Sequence, residues 1–344
     1  MIIKKNEQKI LKTNFNISLS ILRMYLCFVI VNNHLFISKL YFRYIILLRN
    51  SIAVPIFFIM SFFLCYKIFL FNDYLKIKNR FERLLIPYFV WPFITWLINI
   101  FFYYYLNIKF KICFYDLLIQ FISGHNFVTV LWFQFDLIFN TFLIFFVQKS
   151  FSKNIFFILI NIEIISFILQ YSFISYQLFS QFSFYFRYPL GRLNESLPFT
   201  ITGYILGYLD IIKYLKKFRK SILYFNTLIL IIILKYNIFI SIKGFNCQGI
   251  RLYVISIIIF ICFALNPFEN IINSTSLKII KIFTNYTSGI YYLHYTIYNY
   301  LSKFINLIRT KTIFTSIIIY IICYIISFIG IKIFGKTKLK HLFQ

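Results

Sequence analysis

The chain has 344 residues, of which 61% are hydrophobic and only 13% charged, with a mean hydropathy of +0.80. This balance excludes a water-soluble domain, because the chain strings together many separate apolar runs long enough to cross a bilayer. A formal net charge of +27 would point a soluble chain toward nucleic acid; here the basic residues lie between the apolar runs, where the positive-inside rule and anionic membrane lipid account for them, and no nucleic-acid partner is expected.

Runs of roughly 17 to 25 apolar residues occur ten times, at about 17–37, 51–70, 86–106, 127–147, 154–173, 196–212, 221–241, 250–266, 286–306 and 313–334. The predicted fold class is therefore an all-α, polytopic transmembrane bundle of about ten spans. It forms one membrane domain over 1–344, with no internal repeat and no appended soluble domain expected. Lys4, Lys5, Lys9 and Lys12 resemble the start of a signal peptide, but the following run is too long and lacks a small-residue cleavage site, so it is expected to stay attached. With the N-terminus inside, 22 of the 36 Lys and Arg fall in the inside gaps and tails, 13 fall outside, and Arg23 lies in the membrane. Both termini are thus predicted to be cytoplasmic. Reporters fused at residues 180 and 215 should report opposite faces, and finding both on one face would break this topology.

The first run, ISLSILRMYLCFVIVNNHLFI, carries Arg23 and His34. Eleven helical residues bring them back within roughly 20° of each other, about 16 Å apart along the axis. A charge inside a span costs on the order of 2.5 to 3.5 kcal/mol and faces the protein interior or a wet cavity. Both residues can instead be read as snorkelling to opposite interfaces. In the second run Ser61 has the ordinary alternative of bonding its own helix backbone. The loop KIKNRFERLLIPY puts Arg80 and Arg83 at i, i+3 on one helix face, as positive-inside charge or as a grip on phosphate, for which guanidinium geometry is suited.

The fourth run opens GHNFVTVLWFQFD, where Trp132 fits an interfacial aromatic belt, Asp136 follows one turn on, and His125 reads as a solvated loop residue. Glu163 is nearly central in the fifth run and is either functional or paired with a polar neighbour. Arg187, Arg192 and Glu195 lead into Gly203 and Gly207, whose small-xxx-small spacing favours close helix packing. His294 lies in the ninth run among tyrosines, where an inward polar role is expected. The six cysteines contain no CxxC pair, so no metal site is expected; Cys113 and Cys247 could be bridged only if both loops face an oxidising compartment. The 23% aromatic content follows a global Ile, Phe, Tyr, Lys and Asn bias and carries no functional weight.

Taken together, the chain resembles the acyltransferase 3 family of integral membrane proteins, which O-acylate exported carbohydrates. Arg23 and His34 are similar to the family's R-x10-H pairing, IFFIMSFFL at 56–64 to its F-F-x-x-S-G-F-L segment, RFERLLIPY at 80–88 to its R-x-x-R-L-x-x-P-Y loop, LWF at 131–133 to a span opening, and GIYYLHYTI at 289–297 to its Y-L-x-H segment. Phe62 stands where the family has glycine. The resemblance implies transfer of an acyl group, most often acetyl, from cytoplasmic acyl-CoA to a hydroxyl of an envelope glycan or lipid-linked saccharide at a bacterial-type inner membrane. It gives Arg23, Arg80 and Arg83 to the donor, and Arg23 and His34 to catalysis, with His34 as general base or transient acyl carrier. His294, Ser61, Trp132 and Glu163 are candidates to orient or bind substrate. The rival class is a transporter or flippase for a lipid-linked saccharide, with Arg23, Glu163 and His294 lining a path.

Overall fold

The computed structural model describes residues 16–35, 43–106, 113–124, 131–171, 184–243, 248–269, 271–305 and 313–343. Lys4, Lys5, Lys9, Lys12, His125 and Cys247 lie outside the described residues, as does the side chain of Arg187. Cys113 is free among the described residues.

Within these limits the chain is helical, with no strand among the described residues. The helices are α1 Ile17–Leu35, α2 Arg43–Leu70, α3 Tyr74–Leu106, α4 Phe114–Ser123, α5 Trp132–Ser150, α6 Ile155–Tyr171, α7 Phe184–Tyr208, α8 Ile211–Leu215, α9 Arg219–Lys243, α10 Gln248–Ala264, α11 Ser274–Thr284, α12 Thr287–Phe304 and α13 Ile313–Phe334, with 3-10 turns at Lys216–Phe218 and Lys338–Leu342. Among the described residues each of the ten apolar runs falls mainly on a different long helix, and the run at 196–212 continues past the end of α7 into α8. α4 and α11 were not expected, because each is amphipathic and too short for a bilayer-length window. α3 starts well before residue 86. Asp73 accepts from the Lys76 amide at 3.1 Å and pairs with its ammonium at 2.7 Å, which caps the helix through its basic first turns and holds the Asp73 carboxyl below the usual carboxylate range.

By length and composition, three helices among the described residues are long and apolar enough to cross a membrane: Ile52–Leu70, Tyr74–Tyr105 and Phe314–Phe334. Shorter apolar helices cover Ile17–Asn32, Ile155–Leu169 and Leu252–Ala264. On α5 the inward face is polar: Gln134, Asp136, Asn140, Thr141 and Gln148 are buried while Phe142 and Phe146 are more than half exposed. Such an inverted surface is stable only against lipid.

Contacts between helices also fix their directions. Arg23 meets Ser288 while His34 meets His294, so α1 and α12 run parallel. Ile59 faces Gly203 and Tyr66 faces Gly207, so α2 and α7 do too. The hydrogen bonds of Asn140 to Ser196 and of Tyr204 to Gln148 make α5 parallel to α7. By contrast α1 opposes α13, since Ser316 bonds Asn32 while Phe28 packs on Tyr320; α3 opposes α5 through the Arg80 to Thr141 and Gln134 to Leu84 bonds; and α6 opposes α7 through Ser166 with Asn194 and Glu163 with Thr202.

The tightest crossing is α2 on α7. A Cβ at Gly203 would sit 2.3 Å from the Ile59 carbonyl oxygen and 2.8 Å from its Cα, so backbone meets backbone there. This is the close approach expected from the small-xxx-small spacing. It also explains how α2 accommodates Phe62 in place of the family glycine: the small residues are on the partner helix, and Phe62 turns into the core, fully buried and stacked on Phe69.

Candidate functional site

The inward stripe of α1 packs on α12. Arg23 Nη2 donates to Ser288 Oγ at 2.9 Å, one turn before Cys27 Sγ, which bonds the Thr287 carbonyl at 3.3 Å. Arg23 is therefore held by a polar partner within the bundle, which argues against simple snorkelling. Tyr292 lies beside Arg23 and Gln134, and Gln134 Nε2 bonds the Leu84 carbonyl on α3. At the other end of the stripe, the half-buried His34 ring lies 5.1 Å from that of His294 and 5.7 Å from that of Tyr295, between ring centroids.

His294 is fully buried, and its Nδ1 is 2.6 Å from the Tyr291 carbonyl and 3.2 Å from the Ile290 carbonyl. Carbonyls only accept, so Nδ1 carries the proton and Nε2 keeps its lone pair. That nitrogen is buried without a hydrogen-bond partner among the described residues. A buried unpaired acceptor is costly unless something meets it. From His294 the aromatic contacts continue through Tyr291 at 6.0 Å to Phe133 at 5.3 Å, and Phe133 neighbours Trp132. Trp132 carries the Arg192 guanidinium 4.7 Å above its ring, and Arg192 pairs with Glu195 at 3.0 Å. Through Tyr291 and Phe133, Trp132 is thus linked to His294 and, through it, to His34.

Arg80 and Arg83 share a face but not an environment. Arg80 points into the bundle, with Nε on Thr141 Oγ1 at 3.0 Å, Nη1 on Cys65 Sγ at 2.8 Å and Nη2 on Ser61 Oγ at 3.0 Å, over the Phe62 ring at 4.9 Å. Ser61 thus bonds between helices, not to its own backbone. Three of the five Arg80 donors are used and two remain. Arg83, one turn on, is exposed and has no hydrogen-bond or ion-pair partner among the described residues. Glu163 joins neither group: its Oε1 accepts from Thr202 at 2.9 Å and from Tyr253, forming a closed hydroxyl and carboxyl cluster of α6, α7 and α10. The structure adds Ser288, which no sequence signal marks, and Asp136, a carboxylate visible in the sequence that is 1% exposed, near Ser196 and Arg192, with neither oxygen in a hydrogen bond of good geometry among the described residues.

Chemically, this is a cation and an imidazole pair aligned on two parallel helices, with a second arginine cluster nearer the start of α3. No group of three or more metal-ligating side chains occurs among the described residues. The family model Acyl_transf_3, described as an acyltransferase domain, matches residues 16–334. No curated protein and no solved structure matches the chain.

Proposed function

The chain belongs to this family of membrane acyltransferases, and from that premise we propose that it moves an acyl group, most simply acetyl, from cytoplasmic acyl-CoA to a hydroxyl of an envelope glycan or lipid-linked saccharide. The observation that carries this reading is the α1 and α12 pair, with Arg23 tied to Ser288 at one end and His34 over His294 at the other. The donor enters at the Arg23, Arg80 and Arg83 end, with its arm directed along the pair. His34, the more accessible imidazole, takes the proton of the acceptor hydroxyl while that oxygen attacks the thioester carbonyl; the thiolate of coenzyme A leaves and recovers the proton from His34. His294 offers its Nε2 lone pair to position His34 or the acceptor hydroxyl. Trp132, linked to His294 through Tyr291 and Phe133, is a surface for the saccharide.

Alternating helix directions are in keeping with a path of ten crossings, and the excess of Lys and Arg in the gaps and tails on the N-terminal side makes that side cytoplasmic in this reading. Helices on odd-numbered runs (α1, α3, α6, α12) oppose those on even-numbered runs (α2, α5, α7, α13) wherever their contacts reveal direction, as a serpentine path through an inner membrane requires. The two short helices α4 and α11 then lie along the interfaces without crossing.

The test is to incubate membranes containing the protein with radiolabelled acetyl-CoA and follow label into glycan. Label should enter, and Arg83→Ala should raise the donor concentration for half-maximal rate about fivefold, the usual worth of one charge-assisted phosphate contact. Glycan that stays unlabelled with every acceptor fraction would defeat the proposal.

A further inference from the structure

After α13 the chain folds back across the bundle. Thr337 Oγ1 accepts from the Leu339 amide at 3.2 Å and starts the 3-10 turn Lys338–Leu342. Leu342 and Phe343 are buried. The Leu342 carbonyl accepts from Trp91 Nε1 at 3.2 Å, and the Phe343 ring lies edge-on to Trp91 and stacked on Phe334. Two glycines form the socket. A Cβ at Gly289 would meet the Phe343 carbonyl oxygen at 2.6 Å, and one at Gly330 would meet the Phe343 ring at 2.5 Å. Gly289 directly follows Ser288, the partner of Arg23, so this strap is seated at the Arg23 end of the site.

Anchoring the strap carries its basic residues to α3. Lys338 Nζ pairs with Glu82 Oε1 at 2.7 Å, and His341 lies beside Arg83, Lys340 and Glu82. Glu82 is engaged by Lys338, leaving Arg83 and Lys340 with no ion-pair partner among the described residues, and His341 Nδ1 is buried without a hydrogen-bond partner. With Glu82 already paired to Lys338, the cations around His341 outnumber the carboxylate that faces it and repel one another. Burial and the adjacent Arg83 and Lys340 hold the His341 imidazole below its ordinary value.

We propose that the strap completes a phosphate-ester site, in which Lys340 and His341 join Arg83 to hold the nucleotide phosphates of the donor. This rests on the acyl-CoA reading above and extends it to residues beyond 334, outside the matched family region. Guanidinium and ammonium groups suit phosphate oxygens, and a strap already locked by buried contacts loses little freedom when it binds.

The recognised chemistry, a phosphate ester, also occurs in lipid headgroups, so the test has two arms. The full chain is placed in nanodiscs of phosphatidylcholine, and coenzyme A binding is compared for the unaltered protein, Lys340→Ala, His341→Gln and the double variant. Each single change should weaken coenzyme A about three- to fivefold, with the salt dependence of binding reduced and the melting temperature unchanged. Lys336→Ala, on the same segment but exposed, should leave affinity unaltered. If the unaltered protein binds coenzyme A and the variants bind it equally well, the strap assignment is overturned while the donor reading stands. If phosphatidylglycerol raises the melting temperature of the unaltered protein but not of the variants, with coenzyme A affinity the same in all, the phosphate belongs to lipid and the donor assignment of the strap fails. No coenzyme A binding by the unaltered protein overturns both readings.

Discussion

His34→Ala is expected to lower glycan labelling from acetyl-CoA by about 10² to 10⁴-fold, the usual contribution of a positioned general base, with the protein still inserted. His34 lies at the edge of the α1 and α12 contact, half-buried, and among the described residues its contacts are with the rings of His294 and Tyr295. Removing it therefore takes away chemistry more than packing. His294→Ala differs: it frees the Tyr291 and Ile290 carbonyls inside a fully buried turn and should lower both stability and rate. His294→Gln, which can still donate a hydrogen bond, should recover stability but not the lone pair in the same place. Paired measurements of melting temperature and turnover separate the two histidines. A His34→Ala protein that labels glycan at the unaltered rate would remove the catalytic assignment.

Gly203→Leu should prevent folding into a stable bundle. The new Cβ would meet the carbonyl oxygen and Cα of Ile59 at 2.3 and 2.8 Å, and these backbone atoms cannot swing aside as a flexible side chain does. Overpacking of this kind costs about 3 kcal/mol or more, and it falls on the closest pairing in the bundle, so the detergent-solubilised protein should aggregate or melt far below the parent. Two controls mark the cause. Gly207→Ala meets the Tyr66 side chain, from ring to Cβ, and no backbone among its nearest atoms, so it should cost less. Gly191→Ala has nothing within 4 Å and should be neutral or stabilising by up to about 1 kcal/mol, through helix propensity. A Gly203→Leu variant as stable as the parent would show that α2 and α7 are not in backbone contact.

The transporter alternative gains nothing from these contacts. Arg23, Glu163 and His294 would have to line one path, yet Glu163 is enclosed with Thr202 and Tyr253 on α6, α7 and α10, while Arg23 and His294 meet on α1 and α12.

By itself the sequence determined the long apolar helices and the angular relation of residues within each of them, but not the short amphipathic α4 and α11. Bilayer-length apolarity marks a helix because hydrocarbon leaves backbone groups no partners except one another, and a fixed 100° turn puts Arg23 and His34 on one stripe whatever surrounds them. The small residues at 203 and 207 likewise announced a close crossing. Tertiary structure decided everything that depends on which stripes meet. That α1 would face α12, bringing Ser288 to Arg23 and His294 to His34 across more than 250 residues of chain, follows from the shape of the whole bundle, and no periodicity encodes it. The same holds for Arg80 and Arg83. At i, i+3 they look equivalent, but they stand about 60° apart at the edge of the bundle, so one enters a socket of Ser61, Cys65 and Thr141 while the other stays free. The strap after residue 334 is the extreme case: its short run of mixed residues has no apolar period, and its place depends on two glycines and a tryptophan contributed by three other helices.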